Sequence, residues 1–308
     1  MVARHCAITE PYSERGDTAY RRNCILLKPV MDEQQDTNQT AFHDFEHAGW
    51  ERAAEFYADA FGGLTAQTAG PLLDAVGVRA GTRLLDVACG PGFVSGAAAE
   101  RGADVIGLDF STAMVAEAKR RHPSIAFREG DAEALSFDAG QFDAVVMNFG
   151  LLHLARPDTA VMEAFRVLRA GGRYAFTIWA APDHAVGFGM VLQAVEAHGK
   201  TDVGLPDGPP FFRFSEPSES TRTLEAAGFT DVQIRTLPLR WKLWTPDAVF
   251  DALSRGGVRT AAVLRAQTLD ALERIRAAVR RSVEPYAREN GFEVPMPAVL
   301  ASGTKPQP

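Results

Sequence analysis

From Arg83 onward the chain alternates short apolar runs with stretches of helical spacing. The runs are RLLDVAC (83–89), ADVIGLDF (103–110), IAFREGD (125–131), FDAVVMNFG (142–150) and GRYAFTIW (172–179). The first of them are near-continuous Val, Leu, Ile and Ala rather than strict apolar–polar alternations, the texture of strands covered on both faces. Between them, VSGAAAERG, STAMVAEAKRR and TAVMEAFRVLRAGG predict helices, with Ser111 as an N-cap. Pro157 stands near the start of the third, and Gly171-Gly172 is predicted to end it. Strands linked through helices by right-handed crossovers give an α/β, doubly wound, Rossmann-like sheet.

Upstream, DFEHAGWERAAEFYADAF sets Trp50, Phe56, Tyr57 and Phe61 at helix-compatible spacings, and TAGPLLDAVGV reads as a short helix stopped at Gly77. Order is expected from about His43. Residues 31–42 (MDEQQDTNQTAF) are polar and expected to be loose, and residues 1–30 read as a disordered leader or a start set too early, with Met31 opening the chain. After Trp179 the alternation ends. A helix (VGFGMVLQAVEAHG) and the loop GLPDGPPFFRFSEP fill 181–222, a helix is expected at STRTLEAAGF, and one or two strands at TDVQIRTLPLRWKLW. Residues 246–290 are expected to be helical, with Leu269, Leu272, Ile275, Val279 and Val283 on one face, and VPMPAVLASGTKP to add a last strand. The organisation expected is a leader over 1–42, a nucleotide-binding core over 43–180 and a lid insertion over 181–222. The end of the core sheet follows over 223–308, interrupted by the helical insertion 246–290.

Charge narrows the partners. The 308 residues carry a net charge of −7, which argues against binding a nucleic-acid backbone, since that needs a basic face to displace counterions. Arg274, Arg276, Arg280 and Arg281 read as a solvated helix face. No apolar run approaches the ~20 residues that span a bilayer, so stable membrane insertion is not expected. Cys6, Cys24 and Cys89 show neither metal-ligand spacing nor a disulfide framework, and a reducing cytoplasm is the simplest setting.

The chemistry sits around LLDVACGPGFVSGAAAERGADVIGLDFS (84–111). A glycine turn after a first strand lets backbone N–H groups approach a polar ligand, and an acidic residue about twenty positions on can accept ribose hydroxyls. Gly90, Gly92, Gly96 and Asp109 fit that template, which suits more than one adenosine cofactor. Three features favour a cofactor bearing an amino group. Asp86 lies inside the first strand, where a carboxylate makes sense facing a positive ligand. Asp131 closes the third strand, where it could accept from an adenine amino group. Asn148-Phe149 ends the fourth strand beside the expected reaction centre. A Tyr-x-x-x-Lys pair for hydride chemistry is absent from the sequence.

At these residues the sequence resembles a known family. DVACGPG, VIGLDFS, REGDAEAL, FDAVVMNFGLLHL and LRAGGRYAF look like the successive motifs of class I S-adenosylmethionine-dependent methyltransferases, nearest the ubiquinone/menaquinone biosynthesis subgroup. The resemblance is strong over 45–180 and weaker at AAGFTDVQI and VPMPAVLASGTKP, which look like the family's antiparallel strands six and seven. It implies a seven-stranded, mostly parallel sheet with helical insertions as a substrate lid, and S-adenosylmethionine as cofactor. By the same resemblance Asp86, Ala88, Gly90 and Gly92 would hold the methionine moiety, and Asp109 the ribose. Phe110 and Met114 would pack on the adenosine, Asp131 and Ala132 would face the adenine, and Asn148, Phe149 and more loosely Tyr57 would complete the pocket. Cys89 reads as a packing residue. His153 is the candidate general base, with His184 a weaker second. Phe188, Met190, Phe211, Phe212, Phe214, Trp241 and Trp244 make the inserted segments aromatic, which favours a small apolar or aromatic acceptor. A nicotinamide oxidoreductase and a non-catalytic S-adenosylmethionine-binding module are the alternative readings.

Overall fold

A computed structural model describes residues 33–308; the expectations for residues 1–32, Cys6 and Cys24 among them, lie outside the described residues. The chain opens on α1 (Glu33–Thr65), then a 3-10 turn at 66–68 and α2 (Ala69–Ala75). The core alternates β1 (Arg83–Val87), α3 (Phe93–Glu100), β2 (Asp104–Asp109), α4 (Thr112–Arg121), β3 (Ala126–Glu129), β4 (Phe142–Asn148), α5 (Pro157–Val167) and β5 (Leu168–Trp179). Then come α6 (Val186–His198), α7 (Pro217–Ala226), β6 (Thr230–Leu237) and β7 (Arg240–Leu243). Helices α8 (Ala248–Arg255), α9 (Arg259–Arg265) and α10 (Leu269–Val283) precede β8 (Ala287–Arg288), β9 (Gly291–Pro295) and β10 (Ala298–Thr304).

Seven strands form one sheet in the order β3-β2-β1-β4-β5-β10-β6. The strands β1 to β5 run parallel, and β10 enters antiparallel between β5 and β6. Leu84, Leu85, Val87, Ala144, Val145, Val146, Ala175 and Phe176 are buried at or near 0% exposure, which is why these strands carry apolar residues on both faces. A three-stranded sheet, β7-β9-β8, was not expected: TDVQIRTLPLRWKLW divides between the two sheets, and so does the C-terminal segment.

Three expectations fail. Residues 287–288, expected to be helical with the rest of 246–290, form β8, which pairs antiparallel with β9. Residues 33–42, expected to be loose, form the first turns of α1. Their anchor is Phe42, 1% exposed, with the Arg259 guanidinium 4.4 Å from its ring centroid and Gly208 pressed against it. Gly171-Gly172 does not end a helix, since α5 stops at Val167 and β5 begins at the next residue. The glycines serve a bulge, in which Phe142 pairs with Leu168 but Ala144 with Arg173. There Gly171 takes φ +73°, and a Cβ on Gly172 would lie 3.0 Å from the Asp143 carbonyl oxygen.

Helix α1 positions everything that follows. Its buried stripe runs Phe42, Glu46, Gly49, Ala53, Phe61 and Leu64, and it crosses above the carboxyl edge of the sheet. A Cβ on Gly49 would lie 2.2 Å from a Val258 methyl, so only glycine allows α1 to sit this close to the start of α9.

Candidate functional site

The motif residues of β1 to β4 meet in one cleft at the carboxyl edge of the sheet, about 840 Å³ including its open mouth. Ala88 and Gly90 come from the turn after β1, Asp109, Phe110 and Met114 from the β2–α4 junction, and Asp131 and Ala132 from the turn after β3. Asn148 and Phe149 follow from β4, His153 from the 3-10 turn at 151–153, and Tyr57 from α1. Asp86 and Gly92 are not part of its wall.

The turn after β1 explains the glycines one by one. Gly90 has φ +51°, and its N–H donates to Asp109 Oδ2 at 2.8 Å. A Cβ there would meet no protein atom within 4 Å, so this wall is backbone with open space before it. Gly92 has φ +82° and fits against Phe127 and His122. Gly96, read with the ligand glycines, serves packing instead: a Cβ there would collide with the His122 ring at 2.4 Å. Cys89 is likewise buried, clustered with Val115, Ala118 and Phe127.

Two buried carboxyls set the local electrostatics. Asp109 accepts from the Gly90 N–H and, at 3.0 Å, from the Ser111 N–H. Burial pushes its pKa up to about 6 against those two bonds. Each carboxylate oxygen keeps a further acceptor position, so Asp109 can still take two hydroxyls. Asp86 lies behind the wall with no exposure. Its Oδ2 accepts from Ser95 Oγ at 2.6 Å, whereas Oδ1 has no partner. Desolvation, reinforced by the charge of Asp109, pushes its pKa up to about 7.

The remaining wall is strained or tied down. Ala88 at φ +52° and Phe149 at φ +55° hold left-handed backbone that costs non-glycine residues about 1 kcal/mol or more. The Phe149 N–H is pinned to the Thr177 carbonyl at 3.0 Å, and its ring stacks on Trp179 at 4.0 Å. The Asn148 amide oxygen accepts from the Thr68 and Thr177 hydroxyls, and its Nδ2 donates to the Thr65 carbonyl, so its side chain joins the 65–68 turn to the sheet. Asp131 is partly exposed; its Oδ1 accepts from the Glu133 N–H, and Oδ2 lies 3.9 Å from His43 Nε2. The rings of His43 and His47 meet Phe110 edge-on. Tyr57 is held neutral, burial pushing its hydroxyl up to about 12.

A second chamber, about 470 Å³ including its open mouth, adjoins the cleft and shares Trp50, Tyr57, Phe149 and His153 with it. Phe61, Trp179, Phe188 and Phe211 add aromatic wall, and residues 256–260 close the far side. Of the other aromatics in the insertions, Trp241 is core, stacked on Phe61, and Phe214 packs toward Phe176. Trp244 stands 84% exposed and outside the chamber. His184 is also outside, exposed and bonded to its neighbour Asp183.

His153 is not alone. Its Nδ1 lies 2.9 Å from Oε2 of Glu46, which is wholly buried, and Arg259 Nε donates to the other Glu46 oxygen at 2.7 Å. Burial alone would raise the Glu46 carboxyl, yet His153 and Arg259 hold it below its ordinary value. The sequence reading missed Glu46 and Arg259. Glu46 left a signal, a carboxylate on the apolar stripe of an amphipathic helix, where buried charges are costly unless paired. Arg259 left none, because the short helix it opens shows no pattern of its own. Glu51 was missed too; it accepts from Ser111 Oγ at 2.7 Å and so ties α1 to the cap of α4.

The sequence and the fold are similar to those of known proteins. Residues 85–176 match the family model described as a methyltransferase domain. The chain is 47% identical over 113 residues to the demethylmenaquinone methyltransferase of Beutenbergia cavernae, which covers 37% of this chain and 47% of that protein. It is 38% identical over 173 residues to the demethylmenaquinone methyltransferase of Streptomyces avermitilis, covering 53% of this chain and 74% of that protein. The chain thus spans about half the length of the first relative and about three quarters of the second. Among solved structures, the YcgJ protein of Bacillus subtilis shares the fold at a TM-score of 0.54 and 18% identity, covering 79% of this chain and 99% of that one.

Proposed function

The chain belongs to the S-adenosylmethionine-dependent methyltransferase family, and on that premise we propose that it transfers the methyl group of S-adenosylmethionine to a small apolar or aromatic acceptor. One observation carries the reading: motif residues spread from Ala88 to Phe149 line a single cleft that shares Trp50, Tyr57, Phe149 and His153 with an aromatic chamber. Ligands of open α/β sheets bind at this carboxyl edge.

The residues suit the donor. The negative field of Asp86, with an oxygen left unpartnered, favours a ligand with a positive amino group, and the bare backbone at Gly90 leaves room for an amino-acid moiety. Asp109 would take the ribose hydroxyls, Asp131 and Ala132 the adenine edge, and Phe110 and Met114 its faces. Asn148 acts through the backbone it fixes, setting Phe149 at the passage into the chamber. The donor supplies an electrophilic methyl carbon, while the protein supplies alignment and exclusion of water. The chamber's aromatic wall suits a ring acceptor, and the relatives' names point to quinone-type rings.

A thermal-shift panel tests the donor. S-adenosylhomocysteine at a hundredfold excess over its dissociation constant should stabilise the protein by about 2.7 kcal/mol. NADH and NADPH should not. Stabilisation by the nicotinamides alone would overturn the reading.

A further inference from the structure

The aromatic chamber meets the donor cleft at His153, and the groups around that ring have a specific order. Glu46 is a carboxylate and can only accept, so the 2.9 Å contact places the imidazole proton on Nδ1. Nε2 is then the basic nitrogen, and it has no hydrogen-bond partner among the described residues, while the ring lines both cavities. Trp50 meets the ring edge-on at 4.8 Å and Phe211 at 5.8 Å, so the imidazole is clamped as well as bonded. Arg259 fixes the assembly from behind. Beyond Glu46 it donates to the carbonyls of Pro209, at 2.9 Å, and Leu152, at 2.8 Å, the second being the residue before His153. Glu46 from α1 and Arg259 from α9 are the charged groups packed on this imidazole. Tyr57 of α1 also lines both cavities, and His43 and Asp131 stand further along the cleft.

We propose that the aromatic chamber is the acceptor site, that it takes a flat ring bearing a hydroxyl group, and that His153 removes the hydroxyl proton while Glu46 fixes the orientation and tautomer of the imidazole. The inference rests on the methyl-donor reading of the adjoining cleft. Phe149 and Trp179 stack on each other, within 22° of parallel, and with Phe188 and Phe211 they make an aromatic wall that suits a planar ligand. His153, Arg259 and Thr260 bring polar groups to a wall otherwise rich in rings, which suits a flat ring carrying an oxygen substituent. The step balances. The hydroxyl proton passes to Nε2, and the electron pair released makes the ring a phenolate. That pair forms the bond to the methyl carbon, and the S–CH3 bond breaks with its electrons on sulfur, leaving a neutral thioether. Where the new bond forms instead at the ring carbon beside the oxygen, the oxygen becomes a carbonyl; the proton on Nε2 returns it to a hydroxyl, and the ring carbon's own proton passes to the Nε2 so freed. The buried Glu46 charge stabilises the imidazolium in the interval. Glu46 is a positioning residue and His153 a catalytic one.

A chromogenic phenol tests the idea without turnover. With S-adenosylhomocysteine present, 4-nitrophenol should bind the wild-type protein and show its phenolate band at a lower pH than in free solution. His153→Gln should bind it and lose that displacement, and Glu46→Gln should lose most of it. In turnover with a hydroxylated ring acceptor, His153→Gln should lower kcat about hundredfold. Glu46→Gln should lower kcat with the acceptor KM little changed, and Glu46→Asp should recover part of the loss. Arg259→Lys serves as the second variant if Glu46→Gln fails to fold, and a retained thermal shift with S-adenosylhomocysteine certifies each protein. A retained shift with no nitrophenol binding, or with unaltered ionisation in His153→Gln, overturns this inference alone. Loss of the shift in the wild type overturns the methyl-donor reading beneath it.

Discussion

Replacing Asp86 by Asn should stabilise the protein in the absence of donor, increasingly so as the pH rises. The Asp86 side chain has no exposure, one bond from Ser95 and an oxygen with no partner, and its carboxyl stands at about 7 rather than 3.8. A carboxyl whose pKa is higher in the folded chain than in the unfolded one binds more protons when folded. Its contribution to stability is therefore intact at acid pH and declines as the pH climbs from the unfolded value through the folded one. Between about pH 5 and about pH 8 that decline amounts to roughly 2–3 kcal/mol, at about 1.4 kcal/mol per pH unit within the window. Asn keeps the shape and can keep the Ser95 contact, but it does not ionise. The gap in melting temperature between Asp86→Asn and the wild type should thus widen on the order of 5 °C over this range. The assay is thermal unfolding of both proteins across that pH series, without and with S-adenosylhomocysteine. With the ligand the ordering should change, because the variant forgoes the negative field that favours the amino group and is stabilised less. A gap that stays constant or narrows with rising pH would refute the reasoning, since the carboxyl would then not be the costly group its burial implies.

Three further outcomes follow from the same geometry. Asp109→Ala removes the acceptor of the Gly90 and Ser111 N–H bonds and should abolish the thermal shift with S-adenosylhomocysteine; binding at full strength would contradict the ribose role. Gly92→Ala forces φ +82° on a residue with a Cβ only 3.0 Å from Phe127 and should cost at least ~1 kcal/mol in denaturant unfolding, with an unchanged midpoint as the contrary result. Phe211→Ala opens the chamber wall and should raise the acceptor KM several-fold while the donor shift is retained; loss of donor binding with an unaltered acceptor KM would place the chamber elsewhere.

The sequence made the core sheet legible because β1 and β4, at its centre, are near-continuous apolar runs of the kind that double-sided burial favours. Ser111 shows how local the signal can be, its hydroxyl accepting from the Met114 N–H as an N-cap should. What escaped was set by contacts distant in the chain. Nothing local distinguishes a glycine pair that ends a helix from one that absorbs a bulge, and only the strand pairing at Leu168 and Arg173 decides it. Phe42 lies in a polar stretch and becomes an anchor only because Gly208 and Arg259 arrive from the other end of the chain. The cleft followed the same division. Asp109, Gly90 and Asp131 stand at strand ends where spacing predicts them. The partnership of Glu46 with His153 and Arg259 spans 107 and 213 positions, and no periodicity carries information over such separations. Asp86 was found as an unusual residue, but its place behind the wall rather than on it is a matter of packing.

The central claim is methyl transfer from a donor in the cleft to a ring in the chamber, and methyl-labelled S-adenosylmethionine tests it most directly. Incubated with the protein and a panel of hydroxylated aromatic and quinol acceptors, the label should appear in a ring product in step with S-adenosylhomocysteine. It should vanish in Asp109→Ala. Saturable donor binding with no label transferred to any ring, or transfer undiminished in Asp109→Ala, would contradict the account.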